Sequence, residues 1–159
     1  MLREMGRARP YARTRPLAIE DLELDAPGPG EVLVRMRAAG VCHSDLSVVD
    51  GNRPRPTPML LGHEGAGVIE RLGDGVDDLE VGQQVVTVFL PRCGECPNCR
   101  TDGKLPCIPG SATNNAGTLP FDGHKVRLHD RTGAAVAPHH GAAVVPTPPV
   151  LHRALVLPL

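Results

Sequence analysis

Cys93-Gly-Glu-Cys96-Pro-Asn-Cys99, followed after seven residues by Cys107, sets four thiols at metal-ligand spacing. Two C-x-x-C steps place thiolates on tight turns around one ion. Gly94, Pro97 and Asn98 supply the turn residues, and Cys107 returns from a short lobe. Four thiolates suit tetrahedral Zn²⁺ in a closed structural site, with Zn–S distances of about 2.3 Å. An iron–sulfur cluster is the competing chemistry, because ferredoxin runs also use C-x₂-C-x₂-C. Those runs continue with x₃-C-P, whereas here seven residues intervene and Ile108 follows the last cysteine. A cluster of reduced thiols without metal is the third reading, and structural zinc is the expectation.

The fifth cysteine stands apart in Gly40-Val41-Cys42-His43-Ser44-Asp45, and His63 follows in Leu61-Gly62-His63-Glu64-Gly65-Ala66-Gly67. A lone buried cysteine is usually an inert small hydrophobe. A lone histidine in a glycine-rich turn is usually a satisfied polar residue. Taken together, Cys42 and His63 are two of the donors that a catalytic zinc needs, with Asp45 and Glu64 as carboxylates around them. Such a site takes three protein ligands and keeps a fourth position open.

The elements that must position these groups read as short strands separated by turns. Val32, Val34, Met36 and Ala38 alternate with Leu33, Arg35 and Arg37, the period of a half-buried strand, after the turn cluster Ala26-Pro27-Gly28-Pro29-Gly30. Gly67–Leu72 is a second strand candidate, ended by Gly73-Asp74-Gly75, and Val85–Leu90 a third of buried-strand length. Several strands at turn-marked intervals favour a small β barrel or sandwich. With 18 Gly and 17 Pro, long helices are not expected, and with two Phe, one Tyr and no Trp the core must be aliphatic. The first fifteen residues, with Arg3, Arg7, Arg9, Arg13 and Arg15, read as a solvated and partly frayed terminus.

The three motifs, in this order and spacing, resemble the zinc-dependent medium-chain alcohol dehydrogenase family, in its N-terminal GroES-like catalytic domain. Gly30-Glu31-Val32-Leu33-Val34 and Val81-Gly82-Gln83-Gln84-Val85-Val86 fit that family's strand patterns as well. The resemblance runs from about Pro16 to Cys107 and more weakly to about His140. It implies a mainly β fold, a GroES-like β barrel with a four-cysteine zinc lobe, over residues 1–127. It also implies an oxidoreductase that takes an alcohol to an aldehyde or ketone and passes hydride to NAD. Cys42 and His63 would be ligands of the catalytic zinc. Ser44 would take the alcohol's proton, Asp45 would orient the His63 side, and Glu64 would sit beside the metal. His43 matches a position that contacts the coenzyme pyrophosphate. Cys93, Cys96, Cys99 and Cys107 match the structural zinc lobe. Partners implied are a small-molecule alcohol or aldehyde and further copies of the full-length protein.

Departures from the pattern are equally definite. Ser47 stands where many relatives carry a proton-relaying histidine. No cysteine follows Cys107 to act as third catalytic ligand. His139 or His140 could substitute in principle, but their proline-rich surroundings are expected to offer no rigid element. No G-x-G-x-x-G occurs, so the Rossmann coenzyme domain is expected to be absent and the chain alone to lack turnover. A catalytically incompetent zinc-stabilised fragment or interaction module is the alternative function. Residues 128–159 read as an irregular Pro/Ala-rich tail, out of family after about 140, where a frameshift or truncation is expected. A net charge of −1 argues against a nucleic-acid or anionic-membrane binder, and no apolar run is long enough to span a bilayer. No secretory leader is evident, which suggests a cytoplasmic, reducing location and thiols kept for metal.

Overall fold

The computed structural model describes residues 1–121, 125–144 and 148–159. In chain order the elements are α1 (Tyr11–Thr14), β1 (Glu23–Leu24), β2 (Glu31–Ala39), α2 (His43–Val49), β3 (Met59–Leu60), β4 (Gly65–Leu72) and β5 (Gln84–Thr87). There follow α3 (Ile108–Ala116), β6 (Leu128–His129), β7 (Ala137–Pro138), β8 (Val150–His152) and β9 (Val156–Pro158). The protein is mainly β. Its largest sheet runs β8-β2-β4-β5-β9, with every neighbour antiparallel, and curls into a half-barrel. Two small pairs, β1·β6 antiparallel and β3·β7 parallel, flank it.

Alternation in β2 does what its sequence requires. Val32 and Val34 are fully buried while Arg35 stays outside, paired with Glu70 across the sheet. The β2·β4 register slips between Leu33 and Val34 and again between Met36 and Ala38. Irregularities of this kind bend a strand and increase its twist, which lets a five-stranded sheet curl over its own core. Gly67 lies at the tight crossing, where a Cβ would come within 2.6 Å of the Arg35 carbonyl oxygen. Val32, Val34, Ile69, Val85, Leu151 and Val156 fill the concave side, with no aromatic ring among them.

The third strand is shorter than its apolar run suggests. β5 stops at Thr87, and Phe89 is exposed. The N-terminus is not frayed either. Leu2 is fully buried, its N–H donating to the Met59 carbonyl at 2.7 Å and its own carbonyl accepting from Met59 at 2.8 Å. The arginines remain outside this pairing, as in Arg3–Glu20 and Arg7–Glu4. Hydrophobic Leu2 and the partly buried Met5 anchor a segment whose charges alone suggested solvent.

Residues 128–159 are likewise not an irregular tail. They supply β6 to β9, and Ala142, Val144, Leu151 and Val156 join the principal core. Pro158 is tolerated because β9 is an edge of the sheet, where a missing N–H needs no ladder partner on its open side. Pro149 even accepts a hydrogen bond from Val34 at 3.0 Å through its carbonyl. Pro146 and the other residues of 145–147 lie outside the described residues. Leu151→Ala should destabilise the protein by about 3 kcal/mol, within the range for emptying a fully buried leucine site. Chemical denaturation checks this, since a disordered tail would tolerate the change at no cost.

Candidate metal and active site

The four-cysteine lobe forms without regular strands. Its one helical element is a 3₁₀ helix at Cys99–Thr101, and Asn98 braces it by donating to the Pro106 carbonyl at 2.8 Å. One Sγ from each of Cys93, Cys96, Cys99 and Cys107 lies within 4.8 Å of the other three. The Cys93 and Cys99 sulfurs are 3.9 Å apart. A tetrahedron with bonds of about 2.3 Å has edges of about 3.8 Å, so the cluster fits a zinc lobe. Backbone N–H groups of Cys96 and Gly110 donate to the Cys93 and Cys107 sulfurs, both at 3.4 Å. The N–H of Ile108, at the start of α3, leads the groups that bring Cys96 down to about 6, whereas burial pushes Cys107 up to about 11. Cys107 also caps α3, so the lobe ends where a helix begins.

The second group surrounds Asp45. Cys42 is the N-cap of α2, and its N–H donates to Asp45 Oδ2 at 3.1 Å, which fixes that carboxylate one turn into the helix. The buried Asp45 Oδ1 accepts from the Gly62 N–H at 3.0 Å and meets His139 Nδ1 at 2.7 Å, while His63 Nδ1 stands at 3.6 Å. Burial opposes ionisation, but these donors together hold Asp45 far below the usual carboxylate range. Across the cluster, one atom each of Cys42, His63 and Glu64 comes within 4.8 Å of the others. Ser44 Oγ is 3.4 Å from His63 Nε2, and the Ser44 hydroxyl and N–H hold the Cys42 thiol below its ordinary value. Burial works against a charged His63, yet Asp45 and Cys42 raise it above the ordinary histidine value. Glu64 is exposed. His43 is exposed as well, outside the cluster, with Ser47 Oγ 3.4 Å from its Nδ1.

Sequence reasoning missed the supports of His63. Thr87, at the end of β5, donates its hydroxyl proton to the His63 carbonyl at 2.7 Å and accepts from the Gly65 N–H at 2.8 Å. The Phe89 ring packs edge-on against His63, with centroids 6.3 Å apart, and its carbonyl accepts from Asn114 Nδ2 at 2.6 Å. Nothing in a β-branched run marks one threonine as a brace.

The histidine pair at 139–140 corrects the expectation that no rigid element holds it. β3 and β7 run parallel, with Met59 opposite Ala137 and Leu60 opposite Pro138. Both chains therefore leave the pair in the same direction, and Leu61-Gly62-His63 emerges beside His139-His140. Val144 N–H donates to the Gly62 carbonyl at 3.1 Å and closes the arrangement. His63, His139 and His140 are all buried, and each offers a nitrogen within 4.8 Å of the other two. Burial pushes His140 down to about 3, aided by its histidine neighbours. Burial also lowers His139, against the pull of Asp45.

The alcohol dehydrogenase GroES-like domain model matches residues 28–146. An NDMA-dependent alcohol dehydrogenase of Amycolatopsis methanolica is 46% identical over 107 residues, covering 67% of this chain and 29% of its own length. The crystal structure of an alcohol dehydrogenase zinc-binding domain protein from Burkholderia ambifaria superposes with a TM-score of 0.84 at 31% identity, over 99% of this chain and 40% of its own. A solved NAD-dependent alcohol dehydrogenase aligns over 99% of this chain and 39% of its own, with a TM-score of 0.64 at 27% identity. The chain thus spans less than a third of the length of the curated relatives it matches. Among the described residues no helix is long and apolar enough to cross a membrane.

Proposed function

Because this chain belongs to the alcohol dehydrogenase GroES-like domain family, we propose that it is the substrate-facing part of a zinc-dependent oxidoreductase. It would take a small alcohol to an aldehyde or ketone with NAD as hydride acceptor. The observation that carries this reading is the convergence of Cys42 and His63 with the Ser44 hydroxyl, 3.4 Å from the His63 ring. The donors suit a borderline metal: the Cys42 thiol and the His63 imidazole, whose Nε2 lies on the Ser44 side and whose Nδ1 faces Asp45. A zinc ion held at Cys42 and His63 supplies Lewis acidity to the substrate oxygen. A second zinc in the four-cysteine lobe is structural.

The remaining chemistry belongs to the protein's own side chains. With a nicotinamide bound, the carbinol carbon would give it the hydride and both electrons of the C–H bond, and the hydroxyl proton would leave separately. Ser44 takes that proton and hands it outward without placing a charge beside the metal. Asp45 holds the histidines in place, Glu64 stands at the rim, and His43 on the exposed start of α2 would meet the coenzyme pyrophosphate. Ser47 occupies the relay position, so the proton's last step would run through water or the ribose of a bound coenzyme. All five cysteines are free thiols, consistent with the reducing cytoplasm as the working compartment.

Residues 1–159 alone should bind metal without turnover. A chimera joining them to the remainder of a full-length relative should form NADH from alcohols in a zinc-dependent way. Ser44→Ala in that chimera should lower kcat by about 10²-fold or more, the scale of a lost proton-transfer group. A folded, zinc-loaded chimera that forms no NADH from primary or secondary alcohols favours the interaction-module reading instead.

A further inference from the structure

Away from the candidate site, residues 16–25 run along the surface without a turn. The chain fixes one side of this segment. Leu22 and Leu24 pack against the cluster of Leu60, Leu128, Val136 and Ala143, and the Ala18 N–H donates to the Met1 carbonyl at 2.9 Å. The odd-numbered residues Leu17, Ile19, Asp21 and Glu23 are all exposed, and so is Arg15 just ahead of them. Alternation therefore builds a stripe that reads basic, apolar, acidic along the chain. Ile19 at its middle is wholly exposed and Leu17 half-exposed. Single apolar side chains on a surface are ordinary, but two in succession on the outer side of a pinned segment leave a patch open to water.

Ile19 also borders a groove of about 460 Å³, whose other walls include Glu20, Asp21, Arg131 and Thr132. Two charge pairs flank this groove, Arg3 with Glu20 and Arg131 with Asp21. Arg15 and Glu23, in contrast, have no ion-pair partner among the described residues. They stand four residues to either side of Ile19.

We propose that this stripe is the contact face of a two-fold dimer of the chain, with the two segments antiparallel and Ile19 at the axis. A two-fold contact uses one surface twice, so that surface must complement itself. This one does. Reversing a second copy about Ile19 sets each Arg15 against the partner's Glu23, so the two charges left unmatched within the chain match across the axis. Each Ile19 reaches the mouth of the partner's groove, where an apolar anchor with a polar rim is the usual centre of a contact. Leu17 falls beside the partner's Asp21, whose charge Arg131 already balances. A nucleic acid or an anionic lipid surface would meet both signs at once, which favours a second copy as the occupant. A stripe from Arg15 to Glu23 offers fewer contacts than the ~20–30 residues a side of a standard interface, so the dimer is weak and sensitive to salt. None of the candidate metal or catalytic residues lies in the stripe, and the dimer stands or falls apart from the catalytic reading.

Small-angle X-ray scattering of the whole chain, reduced and supplied with zinc, tests this. Over a concentration series up to about 1 mM, the weak end of the affinity scale, the mass should rise from monomer toward dimer, and added salt should reverse the rise. Ile19→Glu should abolish it. Arg15→Glu and Glu23→Arg should each abolish it alone, because each sets like charges together on both sides of the axis. An equimolar mixture of those two variants should restore the dimer, since both pairs across the axis are then opposite in sign. Restoration also shows that both variants fold, and circular dichroism matched to the wild type certifies Ile19→Glu. A chain that stays monomeric at every concentration overturns the proposal and leaves the face to a different partner. A dimer that survives Ile19→Glu or the single charge reversals overturns it as well, and so does a mixture of folded variants that stays monomeric.

Discussion

Stripping metal from the four-cysteine lobe should unravel residues 91–107 while the five-stranded sheet stays folded. What else holds the segment is local to it: one 3₁₀ turn, the Asn98–Pro106 bond, the Thr101 hydroxyl donating to the Asn98 carbonyl at 2.7 Å and accepting from the Leu105 N–H at 3.2 Å, a few backbone bonds within the lobe, and long contacts from Arg92 to the Leu105 and Asn98 carbonyls at 3.4 and 3.5 Å. No apolar side chain of the lobe before Cys107 enters the principal core. Metal binding to comparable sites contributes on the order of 10 kcal/mol, nearly all of it folding energy for the segment that supplies the ligands. Loss of the ion also leaves Cys107 as a buried thiol at the N-terminus of α3, and so loosens the start of that helix. Hydrogen exchange with and without a strong chelator reads this directly. Protection at Cys96, Arg100 and Ser111 amides should fall, and protection at Val34 and Ile69 should persist. Equal loss across both regions would show that the lobe is a keystone of the whole fold and not a separately metal-held unit.

What the sequence revealed follows from where the information sits. The Cys93–Cys107 cluster and the Cys42–Asp45 turn are local: ligand spacing and turn chemistry lie within a few residues, and the folded groups meet as their spacing requires. β2 and β4 were readable for the same reason, since alternation is a property of one segment. The edge strands β8 and β9 were not. Pro148 and Pro149 just before β8 and Pro158 within β9 argue against a strand in general, but not against a strand with one unpaired side, and edge position is decided only by the assembled sheet. His139 and His140 were illegible on similar grounds. Their place beside His63 depends on a two-residue parallel register with β3, and no spacing along the chain encodes it. Thr87 shows the other limit, because its value lies in where β5 ends.

Arg127→Met should cost about 3–5 kcal/mol, a large share of the ~5–15 kcal/mol that holds an ordinary domain together. Glu31 is fully buried at the start of β2, and Arg127 meets it with two nitrogens, Nε at 2.9 Å from Oε2 and Nη2 at 3.0 Å from Oε1. The carboxylate also accepts from the Gly28 N–H at 2.8 Å, so it fastens the turn ahead of β2 as well. Among the described residues, removing the guanidinium leaves the buried charge with one neutral donor, the Gly28 N–H, the costliest way to break such a pair. The loss is local in origin but wide in effect. Glu31 faces His152 of β8 in the sheet, and Arg127 immediately precedes β6, so one bond ties the N-terminal strands to the last third of the chain. The double variant Glu31→Gln/Arg127→Met should recover part of the stability, because the buried charge is gone while the neutral amide can still accept from Gly28. Urea denaturation of the wild type, both single variants and the double variant measures the coupling. If the double variant is no more stable than Arg127→Met, the cost lies in lost packing by the arginine stem and not in an unpaired carboxylate.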